Sequence, residues 1–345
     1  MPAHHQRRWH PLLEQWVLIA SASQSRPWSG ATVGADEVEQ PQHDPGCYLC
    51  PGVERAGGAV NPDYTGPWAF DNDFASLSTA VDPSDQNDAD GILRKTDAPT
   101  GRCRVLCWSE FHHLTLAKLT GPAMLDVARL WQTEYNTLKT DPSVRHILTF
   151  ENKGAEVGVS NRHPHGQIYA SGFLTENAER LLRSQHDYAQ KNPGHYLLQD
   201  LIQRDEYQQT LIVENGAHFK TIVPFAARFP FETWIVPLRH VSNIGDLSET
   251  ELEALAGAYQ RQAQRYDLLF KRSSPNITVL HNAPVDDAIE NPDWCFHIVM
   301  QPPLRDSSTL KYLGGFEAGA GNIVNPLQPE QAAEQLRACS LPSHD

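Results

Sequence analysis

The segment Ser160-Asn161-Arg162-His163-Pro164-His165-Gly166-Gln167 has the composition of a nucleophilic centre. In an extended backbone alternate side chains share a face, so His163 and His165 would lie side by side. Imidazole attacks phosphorus well when one ring nitrogen is neutral and the other donates to a fixed carbonyl. Gly166 lets a ligand approach the backbone, and Gln167 supplies an amide donor to it. One histidine could be held by a metal or a partner while the other attacks an electrophile, although two histidines on a strand are also compatible with packing or a purely metal-binding role.

A Cys-x-x-Cys pair, Cys47 and Cys50, offers half of a tetrahedral zinc site. Two more ligands must come from distant parts of the chain, and His163 is the obvious third. Cys103 and Cys107 could substitute as ligands. On its own, the pair is also compatible with two unligated thiols.

Each half of the sequence repeats one pattern: a strand, a histidine, a long amphipathic helix, a strand and a histidine-bearing strand. The first helix is predicted over residues 121–138, upstream of His165. The second begins at a capping box formed by Ser248 and Glu251, upstream of His297. We interpret the repeat as an internal duplication of an α+β unit, although two similar segments could also arise by chance. The predicted halves are residues 1–190 and residues 191–345.

The sequence His-Pro-His-Gly-Gln after Gly-x-Ser-Asn resembles the signature of the galactose-1-phosphate uridylyltransferase family, a branch of the histidine-triad superfamily. The resemblance runs from about Trp9 to Arg337. It implies duplicated histidine-triad-like units, each an antiparallel sheet with helices packed on it. It also implies exchange of UMP between UDP-glucose and galactose 1-phosphate by double displacement, through a uridylyl-histidine intermediate on His165.

The resemblance also implies roles for residues at matching positions. Those expected to bond to the transferring phosphoryl oxygens are Gln167, Ser160 and Asn152. Those expected to face the nucleotide are Arg26, Asn72, Asp73 and Phe74. Those expected to contact the sugar phosphate are Lys311, Phe316 and Glu317, although Lys311 and Glu317 could instead form a solvated surface pair. The implied zinc ligands are Cys47, Cys50, His112 and His163, and His113 could replace His112.

A second metal site of the family uses a glutamate and three histidines. Here His281 and His297 match two of the histidines. Leu181 stands at the glutamate position, although Glu179 is nearby, and Val299 stands at the position of the third histidine. Two ligands are too few to hold iron or zinc tightly. We therefore predict one structural zinc and no second metal. Phe316 replaces a tyrosine of the family, which leaves the identity of the accepted sugar 1-phosphate open.

Composition limits the partners and the compartment. A formal net charge of −14 disfavours a nucleic-acid-binding protein, which would need a basic surface. No apolar run approaches the ~20 residues of a membrane span, and none follows the basic N-terminus as in a signal peptide. Six cysteines are too few for a disulfide framework, which favours a reducing cytoplasm. The resemblance implies a homodimer that acts on a UDP-sugar and a sugar 1-phosphate.

Other functions stay open at this point. A nucleoside-diphosphate-sugar phosphorylase or adenylyltransferase of the same superfamily would transfer the nucleotide to a different acceptor, such as inorganic phosphate. A transferase for another sugar 1-phosphate would differ only in the acceptor pocket. A regulatory protein could bind nucleotides without turnover, but the presence of His165, Gln167 and Ser160 disfavours it.

Overall fold

The structure is a computed structural model that describes residues 5–20, 32–34, 39–80, 96–285 and 291–341. These ranges contain both strands and helices. The strands are β1 (Gln6–His10), β2 (Gln15–Ile19), β3 (Trp68–Asp71), β4 (Gly101–Cys107), β5 (His146–Lys153), β6 (His165–Ser171), β7 (Ile212–Asn215), β8 (Phe219–Ile222), β9 (Thr233–Pro237), β10 (Asn276–His281), β11 (His297–Gln301) and β12 (Val324–Asn325). The helices are α1 (Gly121–Leu138), α2 (Glu176–Lys191), α3 (Leu197–Gln203), α4 (Glu249–Phe270), α5 (Gly315–Ala320) and α6 (Pro329–Arg337).

One antiparallel sheet of nine strands joins the two halves of the chain, in the order β3-β4-β6-β5-β10-β11-β9-β8-β7. The first half contributes β3-β4-β6-β5. The second contributes β8-β9-β11-β10 in the same topology, with β7 added at the edge. The halves meet where β5 pairs with β10, from Asn276↔Lys153 to His281↔Leu148. The predicted duplicated α+β fold with antiparallel strands is confirmed.

The long helices α1 and α4 lie side by side on one face of this sheet, and we call this side the helix face. Both begin with side-chain caps, which satisfy backbone N–H groups that have no partner in the first turn. The hydroxyl of Thr120 accepts from the backbone N–H of Ala123, and Ser248 and Glu251 form the predicted capping box. Helix α1 has the bounds predicted from its apolar periodicity. The inward residues of both helices, such as Trp131 and Tyr259, are buried in a shared apolar core.

Within the described residues, the opposite face is covered at its two ends. A loop containing Cys47, Cys50 and Tyr64 packs on β3 and β4. At the other end, α2, α3 and the β1–β2 hairpin pack on the second half of the sheet. The side chains of His165 and Gln167 lie on the part of this face between the two covered ends, which we call the open face. No helix in the described ranges is long and apolar enough to cross a membrane.

Candidate active site and metal centre

Four buried side chains converge beside the start of β6. Cys47, Cys50, His112 and His163 have one ligand atom each within 4.8 Å of all the others. The Sγ atom of Cys50 lies 3.6 Å from Nδ1 of His112 and 3.5 Å from Nδ1 of His163. Zinc–ligand bonds of about 2.3 Å to sulfur and about 2.0 Å to nitrogen give an S···N edge of about 3.5 Å in a tetrahedron. The spacing therefore fits a tetrahedral metal ion of zinc size.

The ring of His163 is oriented from outside this cluster. Its Nε2 atom lies 3.0 Å from the backbone carbonyl oxygen of Ser109. A carbonyl only accepts, so Nε2 carries the proton and the lone pair of Nδ1 points at the cluster, as a metal ligand requires. Burial lowers the pKa of His163 to about 4, so its ring is neutral at pH 7. Burial likewise raises the pKa of the Cys50 thiol to about 11, and a bound metal would have to displace that proton.

The sequence left open which cysteines and which of two adjacent histidines would join the cluster. His112 takes part in it, whereas His113 stacks edge-on against Phe111. Cys107 lies close by, with its Sγ atom 3.9 Å from the carbonyl oxygen of Leu49, but it is not one of the four clustered residues. Cys103 also lies outside the cluster. The four converging residues are those that the family resemblance implied.

His165 is held with one ring nitrogen free. Its Nδ1 atom lies 2.8 Å from the backbone carbonyl oxygen of His163, which can only accept, so Nδ1 carries the proton. The lone pair of Nε2 is then available for attack. Burial lowers the pKa of His165, which keeps the imidazole neutral at physiological pH. His163, whose ring faces the cluster of four side chains, thus fixes the tautomer of His165 through its backbone carbonyl.

Two of the three residues predicted to hold phosphoryl oxygens share the open face with His165. Gln167 lies two positions along β6 and is half-buried. It pairs with Phe150 in the β5–β6 ladder, and continuing that register by two residues brings Asn152 opposite His165. Ser160 is exposed in the loop before β6. The side chain of Asn161, in the same loop, accepts from the backbone N–H of His163 at 2.9 Å.

The residues predicted to face the nucleotide lie just after β3. The side chain of Asn72 accepts from the backbone N–H of Phe74 at 2.9 Å, and the Phe74 ring is 75% exposed. Asp73 lies 3.8 Å from Arg55 and accepts weakly from the N–H of Gly57. An exposed aromatic ring is therefore present, whereas the Asp73 carboxylate contacts the loop that precedes β3. Arg26 lies outside the described residues.

The predicted sugar-phosphate residues form a compact unit of their own. Lys311 donates to Glu317 at 2.5 Å, and both side chains are more than 90% buried, so they are not a solvated surface pair. Glu317 also accepts from the backbone N–H groups of Val324 and Gly314. Phe316 beside them is 58% exposed. In the described part of the chain, these residues make no hydrogen bond to β5 or β6.

The second half repeats the His165 arrangement at His297. The Nδ1 atom of His297 lies 2.9 Å from the carbonyl oxygen of Cys295, and its ring stacks on His281 at 4.8 Å. Both line a cavity of about 410 Å³ together with Leu181 and Val299. Across the described ranges, the Cys47–His163 cluster is the one group of three or more ligand-type side chains with this convergence. His281 and His297 alone do not meet it.

Sequence reasoning missed several residues that hold the site together. Ser109 acts through its backbone carbonyl, and Tyr64 places its hydroxyl 3.4 Å from Nε2 of His163. Trp108 packs its ring against Gly166 from the helix face. None has a sequence signal, because a backbone acceptor can belong to any residue type and a buried aromatic residue resembles ordinary core.

Comparison with known proteins gives matches over nearly the whole chain. The family described as "Galactose-1-phosphate uridyl transferase, N-terminal domain" matches residues 2–175, and its C-terminal counterpart matches residues 179–345. A galactose-1-phosphate uridylyltransferase of Haemophilus influenzae is 38% identical over 338 residues, covering 98% of this chain and 95% of the relative. The Rattus norvegicus protein of the same name is 35% identical, covering 97% of this chain and 87% of its own.

Solved structures share the fold. An ADP-glucose phosphorylase from Arabidopsis thaliana with bound ADP-glucose is 22% identical, with a TM-score of 0.77, and the match covers 98% of this chain and 100% of that one. A structure described as uridylyltransferase is also 22% identical, with a TM-score of 0.76, covering 97% and 98% of the two chains. At these identities the likeness concerns the fold alone, since both kinds of enzyme share it.

Proposed function

Since the chain belongs to the galactose-1-phosphate uridylyltransferase family, we propose that His165 is the nucleophile through which it transfers UMP. The enzyme exchanges UMP between UDP-glucose and galactose 1-phosphate, giving glucose 1-phosphate and UDP-galactose. The observation that carries the assignment is the hydrogen bond from Nδ1 of His165 to the carbonyl of His163, because it leaves Nε2 unprotonated on the open face.

The reaction proceeds in two displacements. In the first, Nε2 of His165 attacks the α-phosphorus of UDP-glucose, and the bond to the glucose 1-phosphate oxygen breaks with its electron pair. That leaving group is a phosphate anion, so no strong general acid is required. In the second, an oxygen of galactose 1-phosphate attacks the same phosphorus and restores the imidazole. The carbonyl of His163 keeps its bond to Nδ1–H throughout and so stabilises the positive charge on the ring.

Gln167, Asn152 and Ser160 hold the oxygens of the transferring group. Phosphoryl transfer depends mainly on positioning and on stabilising charge, and amide and hydroxyl donors supply both. The shared face of His165, Gln167 and Asn152 supports this part of the proposal. The nucleotide is proposed to contact Arg26, Asn72, Asp73 and Phe74, with the exposed Phe74 ring as its stacking face. The sugar phosphate is proposed to contact Lys311, Phe316 and Glu317.

A single structural zinc is proposed at Cys47, Cys50, His112 and His163. A closed set of four protein ligands leaves no position for substrate, so the metal would fix the loop to β6 and take no part in the transfer. We propose that a second metal is absent, because Leu181 and Val299 put apolar side chains where two ligands would be needed. The enzyme is proposed to act in the cytoplasm as a homodimer on small-molecule substrates, without nucleic-acid or membrane partners. The division at residue 190 stays a prediction.

The proposal is tested by assaying exchange with UDP-glucose and either galactose 1-phosphate or inorganic phosphate. Product formed only with phosphate would assign the chain to the phosphorylases, and a panel of other sugar 1-phosphates would define the acceptor. UDP-glucose radiolabelled in the α-phosphate should leave acid-labile label on the protein.

Substitution localises that label. His165→Ala should abolish labelling, lower exchange by at least about 10³-fold and leave the zinc content unchanged. His297→Ala is the matched control, since it removes an imidazole with the same hydrogen bond in the other half, and it should still be labelled. Wild-type turnover in His165→Ala would overturn the mechanism.

A further inference from the structure

Trp108 touches the backbone of the reactive strand from the helix face. A Cβ atom at Gly166 would lie only 2.4 Å and 2.5 Å from the Cζ2 and Cη2 atoms of the Trp108 ring. Gly166 separates His165 from Gln167, so the indole lies directly behind the two residues proposed to contact the phosphoryl group. Any residue with a side chain at position 166 would push the strand away from the indole.

The indole is fixed by a buried carboxyl group. Its Nε1–H donates to Oε1 of Glu151 at 2.8 Å, and Oε2 of Glu151 accepts from the Tyr259 hydroxyl at 2.9 Å. Trp108 and Tyr259 are 1% exposed, and Glu151 is 6% exposed. We call these three residues the buried tie. It connects the residue that follows β4 with β5 and α4, beneath β6.

A carboxyl group at this place is costly, and an apolar side chain would fill the same space more cheaply. Burial raises the pKa of Glu151, which expresses the free-energy penalty of holding its charge away from water. Packing alone therefore does not explain Glu151. Its two hydrogen bonds do fix the orientation of the Trp108 indole, because each carboxylate oxygen accepts from one donor and the indole has only one N–H.

The buried tie is connected to both strands that carry residues proposed to bind the phosphoryl group, β6 and β5. Trp108 supports Gly166, between His165 and Gln167. Glu151 precedes Asn152 on β5, and successive strand residues point to opposite faces. A movement of the Glu151 side chain towards α4 would thus move Asn152 as well as the indole.

We propose that the buried tie positions His165, Gln167 and Asn152 for phosphoryl transfer. Its members are positioning residues, since they touch no substrate atom. Reacting groups must be held within about 0.5 Å of the productive geometry, and a displacement of about 1 Å can cost two orders of magnitude in rate. The inference rests on the proposed role of His165.

A matched pair of tyrosines on α4 tests it. Tyr259→Phe removes the hydrogen bonds of its hydroxyl to Glu151 and to Thr278. Tyr266→Phe makes the same change to an equally buried hydroxyl, whose partners are the carbonyl of Phe231 and the hydroxyl of Thr233. We expect similar losses of thermal stability in the two variants. Only Tyr259→Phe should slow single-turnover release of glucose 1-phosphate from UDP-glucose, by about tenfold, with KM changed less than about twofold.

Two substitutions of Glu151 separate hydrogen bonding from shape. In Glu151→Gln the amide oxygen can accept from Trp108 while the amide N–H₂ faces a reversed Tyr259 hydroxyl, so most of the rate should remain. Glu151→Met keeps the volume but leaves the Trp108 N–H without an acceptor and the Tyr259 hydroxyl with Thr278 as its remaining partner, and its rate should fall by about 100-fold. A wild-type rate in Glu151→Met, or equal rate losses in the two tyrosine variants, would overturn the proposal.

Hydrogen exchange keeps this inference distinct from the function itself. In the zinc-loaded protein without substrate, Tyr259→Phe should raise amide exchange across β6, and Tyr266→Phe should raise it across β9 instead. If wild-type protein fails to form labelled His165, the proposed mechanism fails whatever the exchange pattern. If wild type is labelled but Tyr259→Phe leaves both β6 exchange and rate unchanged, only the tie is refuted.

Discussion

His163 links the proposed metal site to the proposed nucleophile, His165, through three different atoms. Nδ1 faces Cys50, Nε2 donates to the carbonyl of Ser109, and its own carbonyl accepts from His165. A shift of the His163 ring would therefore also shift the acceptor that sets the tautomer of His165. A metal bound by this cluster would influence transfer in this indirect way, since four protein ligands would leave no coordination position for substrate.

Replacing one cluster ligand tests that link. We expect Cys50→Ala to lose zinc, to lower the free energy of unfolding by about 4 kcal/mol or more, and to slow transfer. Metal analysis, denaturant unfolding and the exchange assay measure the three effects. Cys103→Ala is the control, because Cys103 is also buried but lies outside the cluster. This variant should keep its zinc, and its free energy of unfolding should fall by about 1 kcal/mol. Full zinc occupancy in Cys50→Ala would refute the assigned ligand set.

Most of the candidate site could be predicted from distinctive residue types, whereas the contacts made by backbone groups could not. Cys47, Cys50 and the two histidines around Pro164 are chemically distinctive, so their spacing predicted a metal centre beside a nucleophile. The choice of His112 over His113 could not be made from adjacent identical residues. For the Lys311–Glu317 pair the sequence allowed a substrate contact or a solvated surface pair. The structure buries the pair and so excludes the solvated alternative, an outcome that depends on tertiary packing around Phe229, which the sequence does not show.

At the scale of single elements, α4 shows how a short pattern fixes a boundary. Glu251 accepts from the backbone N–H of Ser248 at 2.9 Å and from both Nε and Nη2 of Arg239. These hydrogen bonds, with that of Arg239 the largest contribution, lower the pKa of Glu251 to about 2. The carboxylate therefore stabilises the start of α4 fully above its ordinary pKa of about 4.5, and this contribution is lost as the pH falls towards 2.

We expect Glu251→Gln to lower the free energy of unfolding by about 1 kcal/mol at pH 7, because the charged hydrogen bonds are lost. The difference from wild type should shrink as the pH falls from 4.5 towards 2, and urea unfolding across that range measures it. Glu249→Gln, in the same helical turn but 59% exposed, should change stability by less than about 0.5 kcal/mol. A difference that stays constant down to pH 2 would contradict the assignment.

Periodicity predicted the amphipathic elements but gave no signal for some buried or short ones. The apolar positions from Met124 to Leu138 recur every three or four residues, which is why the bounds of α1 were correct. Strand β8 is buried at every residue, including Lys220 and Thr221, so it shows no alternation. Helix α3 spans only seven residues, too few for a 3.6-residue repeat to stand out.

The surface around Lys311 and Glu317, two of the proposed sugar-phosphate residues, exposes large apolar side chains. Tyr312, Leu313 and Phe316 are 54%, 57% and 58% exposed. An apolar patch next to functional residues is typical of a surface that a partner covers. A homodimer with sites near the subunit interface, as the family resemblance implies, would cover it.

Sedimentation tests the dimer. Wild type should sediment at twice the 38.6 kDa of the chain. Leu313→Glu should shift it towards monomer and reduce transfer about tenfold or more, because burying an unpaired carboxylate is unfavourable. Leu268→Glu, at a 45% exposed leucine on α4, should change neither. A wild-type monomer with full activity would rule the dimer out.

The pairing of β5 with β10, which we call the seam, joins the two halves of the chain into one sheet. Each of these strands is an interior strand of the full sheet, and each would become an open border if the halves were separated. The backbone N–H and C=O groups along the six residue pairs of the seam would then face water or the next molecule. A half separated from the other would therefore have to pair that border with another strand or leave it exposed. Holding both halves in one chain keeps the two borders paired.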